Sequence, residues 1–234
     1  MGLRGVSLII PALNEADTIG ATLRELPWQS IDECIVVDNG SSDGTAEEAR
    51  CNGARVIQEP RRGYGRACHS GVLAANRNSE VLAFMDADGS DMSYDLDRLT
   101  QPVLAGEADF VLGSRLTGAR ETGSLLPSQI FAARVAGGLI RMRLGFKYTD
   151  MGPMRVISRA AFDRLRMSEM TYGWNLEMQI RAVQLPLRVL EVPTGCRRRR
   201  GGVSKVSGSL TGSVTAAIRI MQVLSRLLTG GDSR

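Results

Sequence analysis

Asp86, Asp88 and Asp91 fall within six residues, directly after the apolar run VLAF at 81–84. Three carboxylates on about 20 Å of extended backbone repel one another unless they share a cation or accept strong donors. Asp86 and Asp88 flank Ala87, and Gly89 lets the chain turn behind them, so both carboxylates can aim at one point. Hard cations such as Mg²⁺ or Mn²⁺ are held in this way by one or two carboxylates, with water and phosphate oxygens completing the shell. The chemistry implied is a divalent ion shared between Asp86, Asp88 and a diphosphate. The competing reading gives the same acids a purely structural use, capping the turn and the helix after it.

Other polar residues fall at equivalent places. The first apolar run leads into PALNE, with Pro11, Asn14 and Glu15, and the second ends in VDNGSSDGT, with Asp38 as its last strand residue. In an open parallel sheet, ligands bind beyond the carboxyl ends of the strands, so three strand ends deliver acids to one edge. An ionised carboxylate accepts hydrogen bonds and cannot donate, which suits Asp38 to the ring N–H of uracil or guanine. Ser41 and Asp43 are better explained as turn and helix-capping residues. The stretch RRGYGRA at 61–67 sets glycines and arginines ahead of a helix and could hold an anion. It is not a dinucleotide fingerprint, because the third glycine of that pattern is Cys68.

Positioning these residues takes a repeated strand–helix order. Continuous apolar runs predict strands over 6–10, 33–38, 54–59, 81–86 and 109–114, buried on both faces. Helical spacing predicts helices over 16–26, 45–50, 65–77 and 94–105 between them. Beyond residue 115 the rhythm changes: a loop over 117–127, helices over 128–144, 159–166 and 174–184, and strands over 154–158 and 187–192. A last helix over 210–228 carries an apolar stripe interrupted by Arg219 and Arg226. That stripe could dock on the protein's own core, on a membrane surface or on a partner. The fold class expected is α/β, layered, with a mostly parallel central sheet.

The 234 residues suit one domain, and 43% hydrophobic with 23% charged residues is the composition of a folded globular protein. The net charge of +4 is uneven: residues 181–234 hold 10 Lys and Arg against 2 Asp and Glu, including four consecutive arginines at 197–200. Such an end suits phosphates or anionic lipid. Nucleic acid is not expected, since aromatics are only 5% of the chain and none interleaves the arginines for base stacking. Four cysteines without a CxxC pair read as reduced structural thiols of a cytoplasmic protein. No stretch reaches the roughly 20 apolar residues of a membrane span, so any membrane contact is expected to be peripheral.

Taken in order and spacing, PALNE, VDNGSSDGT, RRGYGRA, the Asp86-Ala87-Asp88 triplet and GSR at 113–115 resemble the family-two glycosyltransferases, and within them the dolichol-phosphate mannose synthase-like branch. DMGPMR at 150–155, YGWNLEMQIRA at 172–182 and RGGVSKVSG at 200–208 extend the likeness over nearly the whole chain. The resemblance implies the GT-A fold, a three-layer α/β/α arrangement. It implies a catalytic domain over 1–209, with a nucleotide-sugar half at 1–115 and an acceptor half at 116–209, followed by a C-terminal helix and tail at 210–234. Pro11, Asn14 and Glu15 would then lie at the nucleoside, Asp38 at the base, and Asp86, Ala87 and Asp88 around metal and diphosphate. Arg115, Arg200 and Lys205 would meet an acceptor phosphate or the leaving diphosphate. Asn39 stands where the family often has a second Asp, and Ser90 where some synthases place a metal-binding Gln.

The reaction implied is an inverting transfer from a UDP- or GDP-sugar, with Asp88, Asp150 and Arg200 as candidate catalytic residues. A hydroxyl acceptor would need a base within about 3 Å, for which Asp150 and Glu177 are the candidates, whereas a polyprenyl phosphate is already anionic and needs none. A sugar nucleotidyltransferase is the rival enzyme class, but its glycine-rich phosphate loop would stand where PALNEAD stands.

Overall fold

A computed structural model describes residues 5–201 together with Gln222 and Ser225, both of which are helical and exposed. Lys205 and the rest of the expected C-terminal helix and tail lie outside the described residues.

Seven strands form one sheet: β1 (Gly5–Ala12), β2 (Glu33–Asp38), β3 (Arg55–Gln58), β4 (Ser79–Phe84), β5 (Phe110–Ser114), β6 (Arg155–Ser158) and β7 (Val189–Pro193). Their order is β3-β2-β1-β4-β6-β5-β7. All neighbours are parallel except at β6, which runs antiparallel to both β4 and β5. Between residues 5 and 201, seven α-helices accompany them: α1 (Ala16–Arg24), α2 (Thr45–Cys51), α3 (Tyr64–Ala74), α4 (Leu96–Leu104), α5 (Pro127–Leu144), α6 (Arg159–Leu165) and α7 (Trp174–Gln184). Each expected strand and helix within the described residues is present, with ends shifted by a few residues.

Alternation along the strands divides the core into two layers. Ile9, Ile35, Val37, Leu82, Phe84, Phe110, Leu112 and Ile157 face α3, α5, α6 and α7. Leu8, Ile10, Val36, Val81, Ala83, Val111 and Val156 face α1, α2 and α4 on the other side. Each such fully buried side chain stabilises the fold by roughly 1.5–3 kcal/mol, so both faces of the sheet are anchored. Phe84, Phe162 and Trp174 meet in one aromatic cluster, with ring centroids 6.0–6.4 Å apart.

Two expectations need correction. The edge strand β3, expected to be buried on both faces, is only partly buried, with Arg55 and Gln58 exposed, because it has a neighbour on one side alone; β7 at the opposite edge is likewise partly exposed. The strand expected over 81–86 starts earlier and closes at Phe84, so Asp86 and Asp88 stand beyond the sheet rather than at its last rung.

Candidate active site

The loops after β1 and β2 are laced together by the polar residues the sequence singles out. Asn14 takes a left-handed backbone (φ 51°), which Asn tolerates, and its Oδ1 accepts the Ser42 amide at 2.8 Å. Its own amide donates to Ser41 Oγ at 2.9 Å, and the Glu15 amide donates to Thr45 Oγ1 at 2.8 Å. Asp43 accepts from the Ala16 and Thr45 amides, as its expected turn role requires. Asp38 is buried at the end of β2, where one carboxylate oxygen accepts the Ser41 amide at 2.8 Å. Asn39 is a scaffold residue: it donates to the Glu59 and Arg61 carbonyls and accepts the Gly63 amide. At Gly63 (φ 145°) and Gly65, a Cβ would strike the carbonyls of Met170 and Glu169, so glycine is needed for α3 to begin against the 168–171 loop.

Beyond β4 the acids converge. Asp88, Ser90 and Asp91 are buried; Asp88 accepts the Ser90 amide at 2.8 Å, and Asp91 accepts the Asp86 amide at 3.3 Å. Asp86 also accepts the Tyr64 hydroxyl at 3.1 Å. Burial and the charge of Asp88 push the Asp86 carboxyl up to about 6. Burial and the charges of Asp86 and Asp88 push Asp91 up to about 8. These carboxylates are therefore desolvated and mutually repelling, which a shared cation would relieve.

The arginine run lies along this loop as a strap. Arg197 donates its amide to Ser90 O at 2.9 Å, and Arg200 donates its amide to Asp88 O at 3.2 Å. Gly89 (φ 71°) permits the fit, since a Cβ there would come within 3.1 Å of the Arg200 side chain. The four guanidinium groups then diverge. Arg197 and Arg200 both pair with Glu25, and Arg198 donates to Thr122 O at 2.9 Å. Arg199 alone enters the acid group: Nη2 reaches Glu15 Oε1 at 2.8 Å and Nη1 reaches Asp88 Oδ2 at 3.0 Å. Its buried Nε has no hydrogen-bond partner among the described residues. Sequence reasoning singled out Arg200 and passed over Arg199. Only the register of the strap tells these adjacent, identical residues apart.

The remaining candidates are placed differently. Arg115, just after β5, donates from its amide, Nε and Nη2 to the Asp150 carboxylate at 2.8–3.0 Å. Burial opposes ionisation of Asp150, but the Arg115 guanidinium outweighs it and holds the carboxyl below its ordinary value. Glu177 is fully buried in α7, where it accepts from the Ser168 and Glu169 amides, the Ser168 hydroxyl and Arg181 Nε at 2.7–3.0 Å. It anchors residues 168 and 169 to α7, while the Met170 and Thr171 carbonyls of the same loop accept from the Arg66 and Gly65 amides of α3. Pro11 lies in β1 opposite Val37, and Ala87, in the turn after β4, accepts the Thr22 hydroxyl from α1 at 3.3 Å through its carbonyl. Arg155 was not foreseen: wholly buried in β6, it donates to the Gly152, Pro153 and Asn175 carbonyls and joins the 150–155 loop to α7.

The donor set fits a hard divalent ion. No group of three His, Cys, Asp or Glu side chains among the described residues forms a ready-made cage. Two carboxylates, Asp86 and Asp88, with a diphosphate supplying further oxygens, is the arrangement Mg²⁺ and Mn²⁺ usually take, since neither needs an all-protein cage. The guanidinium of Arg199 against Asp88 shows that a cation is accommodated there.

Comparison with known proteins gives a consistent picture. The sequence profile described as Glycosyl transferase family 2 matches residues 7–166. An uncharacterized glycosyltransferase of Mycobacterium tuberculosis is 39% identical over 224 residues, covering 94% of this chain and 98% of its own. The undecaprenyl-phosphate mannosyltransferase of Micrococcus luteus is 31% identical, covering 91% and 92%. The polyprenol monophosphomannose synthase of Mycolicibacterium smegmatis is also 31% identical, covering 86% and 81%. Among solved structures, glucosyl-3-phosphoglycerate synthase from M. tuberculosis, in complex with Mn²⁺, UDP and glucosyl-3-phosphoglycerate, superposes with a TM-score of 0.78. It is 22% identical, with 97% of this chain and 80% of that chain covered, a likeness of fold.

Proposed function

This chain belongs to glycosyl transferase family 2 and has the GT-A fold, and on that premise we propose that it is an inverting, metal-dependent transferase that moves a sugar from a nucleotide diphosphate sugar to a polyprenyl phosphate. The observation that carries the donor side is Arg199 bridging Glu15 and Asp88, with Asp86 near enough to feel the charges of Asp88 and Arg199, beyond the carboxyl ends of β1 and β4. The laced loops after β1 and β2 form the nucleoside wall, with Pro11, Asn14 and Glu15 on one side and Asp38 facing the base.

Asp86 and Asp88 would hold Mg²⁺ or Mn²⁺, which supplies positive charge against the diphosphate as the bond to the anomeric carbon breaks. Arg199, tethered by strap contacts on both sides, gives up its carboxylate partners and turns its paired donors to the diphosphate. The acceptor side rests on what the other carboxylates are doing. Asp150 is locked to Arg115 and Glu177 to a loop and Arg181, so neither is a free base for a hydroxyl acceptor. A lipid phosphate arrives ionised and needs no base. The two named relatives above that act on polyprenyl phosphates, matched over most of both chains, support the same acceptor class. A water-soluble donor and a lipid acceptor would place the enzyme in the cytoplasm, at the membrane face. No helix of the described residues is long and apolar enough to cross a membrane.

The test is a turnover screen of UDP- and GDP-sugars with Mg²⁺ or Mn²⁺, with and without polyprenyl phosphate. Donor consumption stimulated by the lipid phosphate is expected. Transfer to hydroxyl compounds with no response to the lipid would overturn the acceptor class, and inertness toward every donor would overturn the reading as a whole.

A further inference from the structure

α5 is apolar on both sides. Ala133, Ala136, Gly137 and Ile140 face inward and are buried. On the outer side Phe131 is 69% exposed and Met142 is 70% exposed, with Val135 and Leu126 exposed as well. Positions 131, 135, 138 and 142 form one stripe along the helix. Large apolar side chains so exposed on a single stripe contribute little to the core and mark a contact surface.

The charge around this stripe is one-sided. Residues 122–149 contain four cations, Arg134, Arg141, Arg143 and Lys147, and no Asp or Glu. All four are exposed, and none pairs with an acid among the described residues. A second copy of this chain is a poor occupant, because a two-fold contact would set these cations against themselves. An anionic lipid surface is complementary in both respects. Apolar side chains enter the headgroup boundary, while long basic side chains reach the phosphates.

The helix is also well placed for the acceptor. The segment between Arg115 and α5 is stitched to the arginine strap: Cys196 donates to Ala119 O and Glu121 donates to Cys196 O, both at 2.9 Å, and Arg198 reaches Thr122 O. The start of α5 is thereby tied to the strap that carries Arg198 and Arg199. We propose that the outer face of α5, with Phe131, Val135 and Met142 among Arg134, Arg141, Arg143 and Lys147, docks on an anionic lipid surface and brings the acceptor phosphate up to the strap. The link to the acceptor rests on the reading of that acceptor as a lipid phosphate.

Vesicle co-sedimentation of the full chain tests this, comparing phosphatidylcholine vesicles with and without phosphatidylglycerol. The wild type should partition onto the anionic vesicles. Phe131→Ser/Met142→Ser and Arg134→Glu/Arg141→Glu should each lower that partition by about tenfold or more, since each cation near such a surface contributes about fivefold. Calorimetric binding of nucleotide diphosphate, read alongside, should match wild type and show that both variants are folded. Partition that is equal in wild type and both variants, or indifferent to lipid charge, overturns the proposal. So does a dimer in sedimentation velocity that either variant dissociates. Transfer to a short, water-soluble polyprenyl phosphate separates the two readings: both variants should retain it. Its absence in the wild type, with partition still lost in the variants, would remove the acceptor reading and leave the docking face standing.

Discussion

Burial disfavours the charged form of the carboxylates beyond β4 and of Asp150 beside β5 alike, yet their neighbours drive the two in opposite directions. Asp86 and Asp91 are desolvated beside other acids, and their carboxyls are pushed up. Asp150 is buried beside a guanidinium that grips it with both donors, and its carboxyl is held down. Desolvation in unequal company separates two uses of an acid. The first group concentrates negative charge that a cation can neutralise, and the second completes its charge balance within the fold. On our proposal this difference gives the chemistry to the DAD turn and a structural part to Asp150, although both stand out equally as letters in the sequence.

Breaking the first group should produce the largest effect. Asp88→Asn is expected to lower turnover by at least about 10²–10³-fold and to abolish metal-dependent nucleotide binding in calorimetry, with no loss of thermal stability. Retained binding with Mn²⁺ would erase the contrast. Asp150→Asn acts on the other group and should appear as instability, on the order of 3 kcal/mol in denaturant unfolding, because Arg115 is left buried without its counter-charge. An unfolding midpoint equal to wild type, together with lost turnover, would make Asp150 a base after all.

A subtler probe is Arg199, which touches the first group from the strap. Arg199→Ala should raise the donor KM by about tenfold or more, as a charge-assisted contact to phosphate is lost. Arg198→Ala, whose side chain turns to Thr122, should leave that KM near wild type. Equal effects from both would mean that the strap presents diffuse charge. The smallest expected effect is on stability against pH in metal-free protein. Carboxyls raised by folding hold protons that the unfolded chain has already released. Stability should therefore fall as pH rises from the ordinary carboxyl value near 4 toward the raised values near 6 and 8. A decline of at least about 1 kcal/mol is expected over that window, followed by thermal unfolding, and Mn²⁺ should flatten it. A rise with pH would show that the first group is already compensated.

Much of this architecture is legible in the chain because it is local. Among the described residues, apolar runs between turn residues locate the seven strands of the sheet, and helical spacing locates α1 to α7. The polar residues after β1, β2 and β4 are readable as a site because strand ends in a parallel sheet share an edge. What the sequence hides is long-range pairing. Nothing in RRRR indicates that its third member faces Glu15 and Asp88 while the fourth turns to Glu25; that depends on hydrogen bonds from residues 197 and 200 back to residues 90 and 88. Glu177 invites a catalytic reading by type, yet four donors from a neighbouring loop and its own helix occupy it. Asn39 departs from the family pattern and is explained by the 59–63 turn that it supports. The reversal at β6 is equally silent, because a four-residue strand carries no direction in its sequence.

That reversed strand has a consequence for how the protein comes into being. β4 and β5 share no hydrogen bonds; β6 alone stitches them, so the sheet stays in two pieces until residue 158 has been synthesised. A nascent chain released from the ribosome before that point would carry one bare margin on β4 and both margins of β5, rich in Val, Leu and Phe, a ready template for clumping with its neighbours.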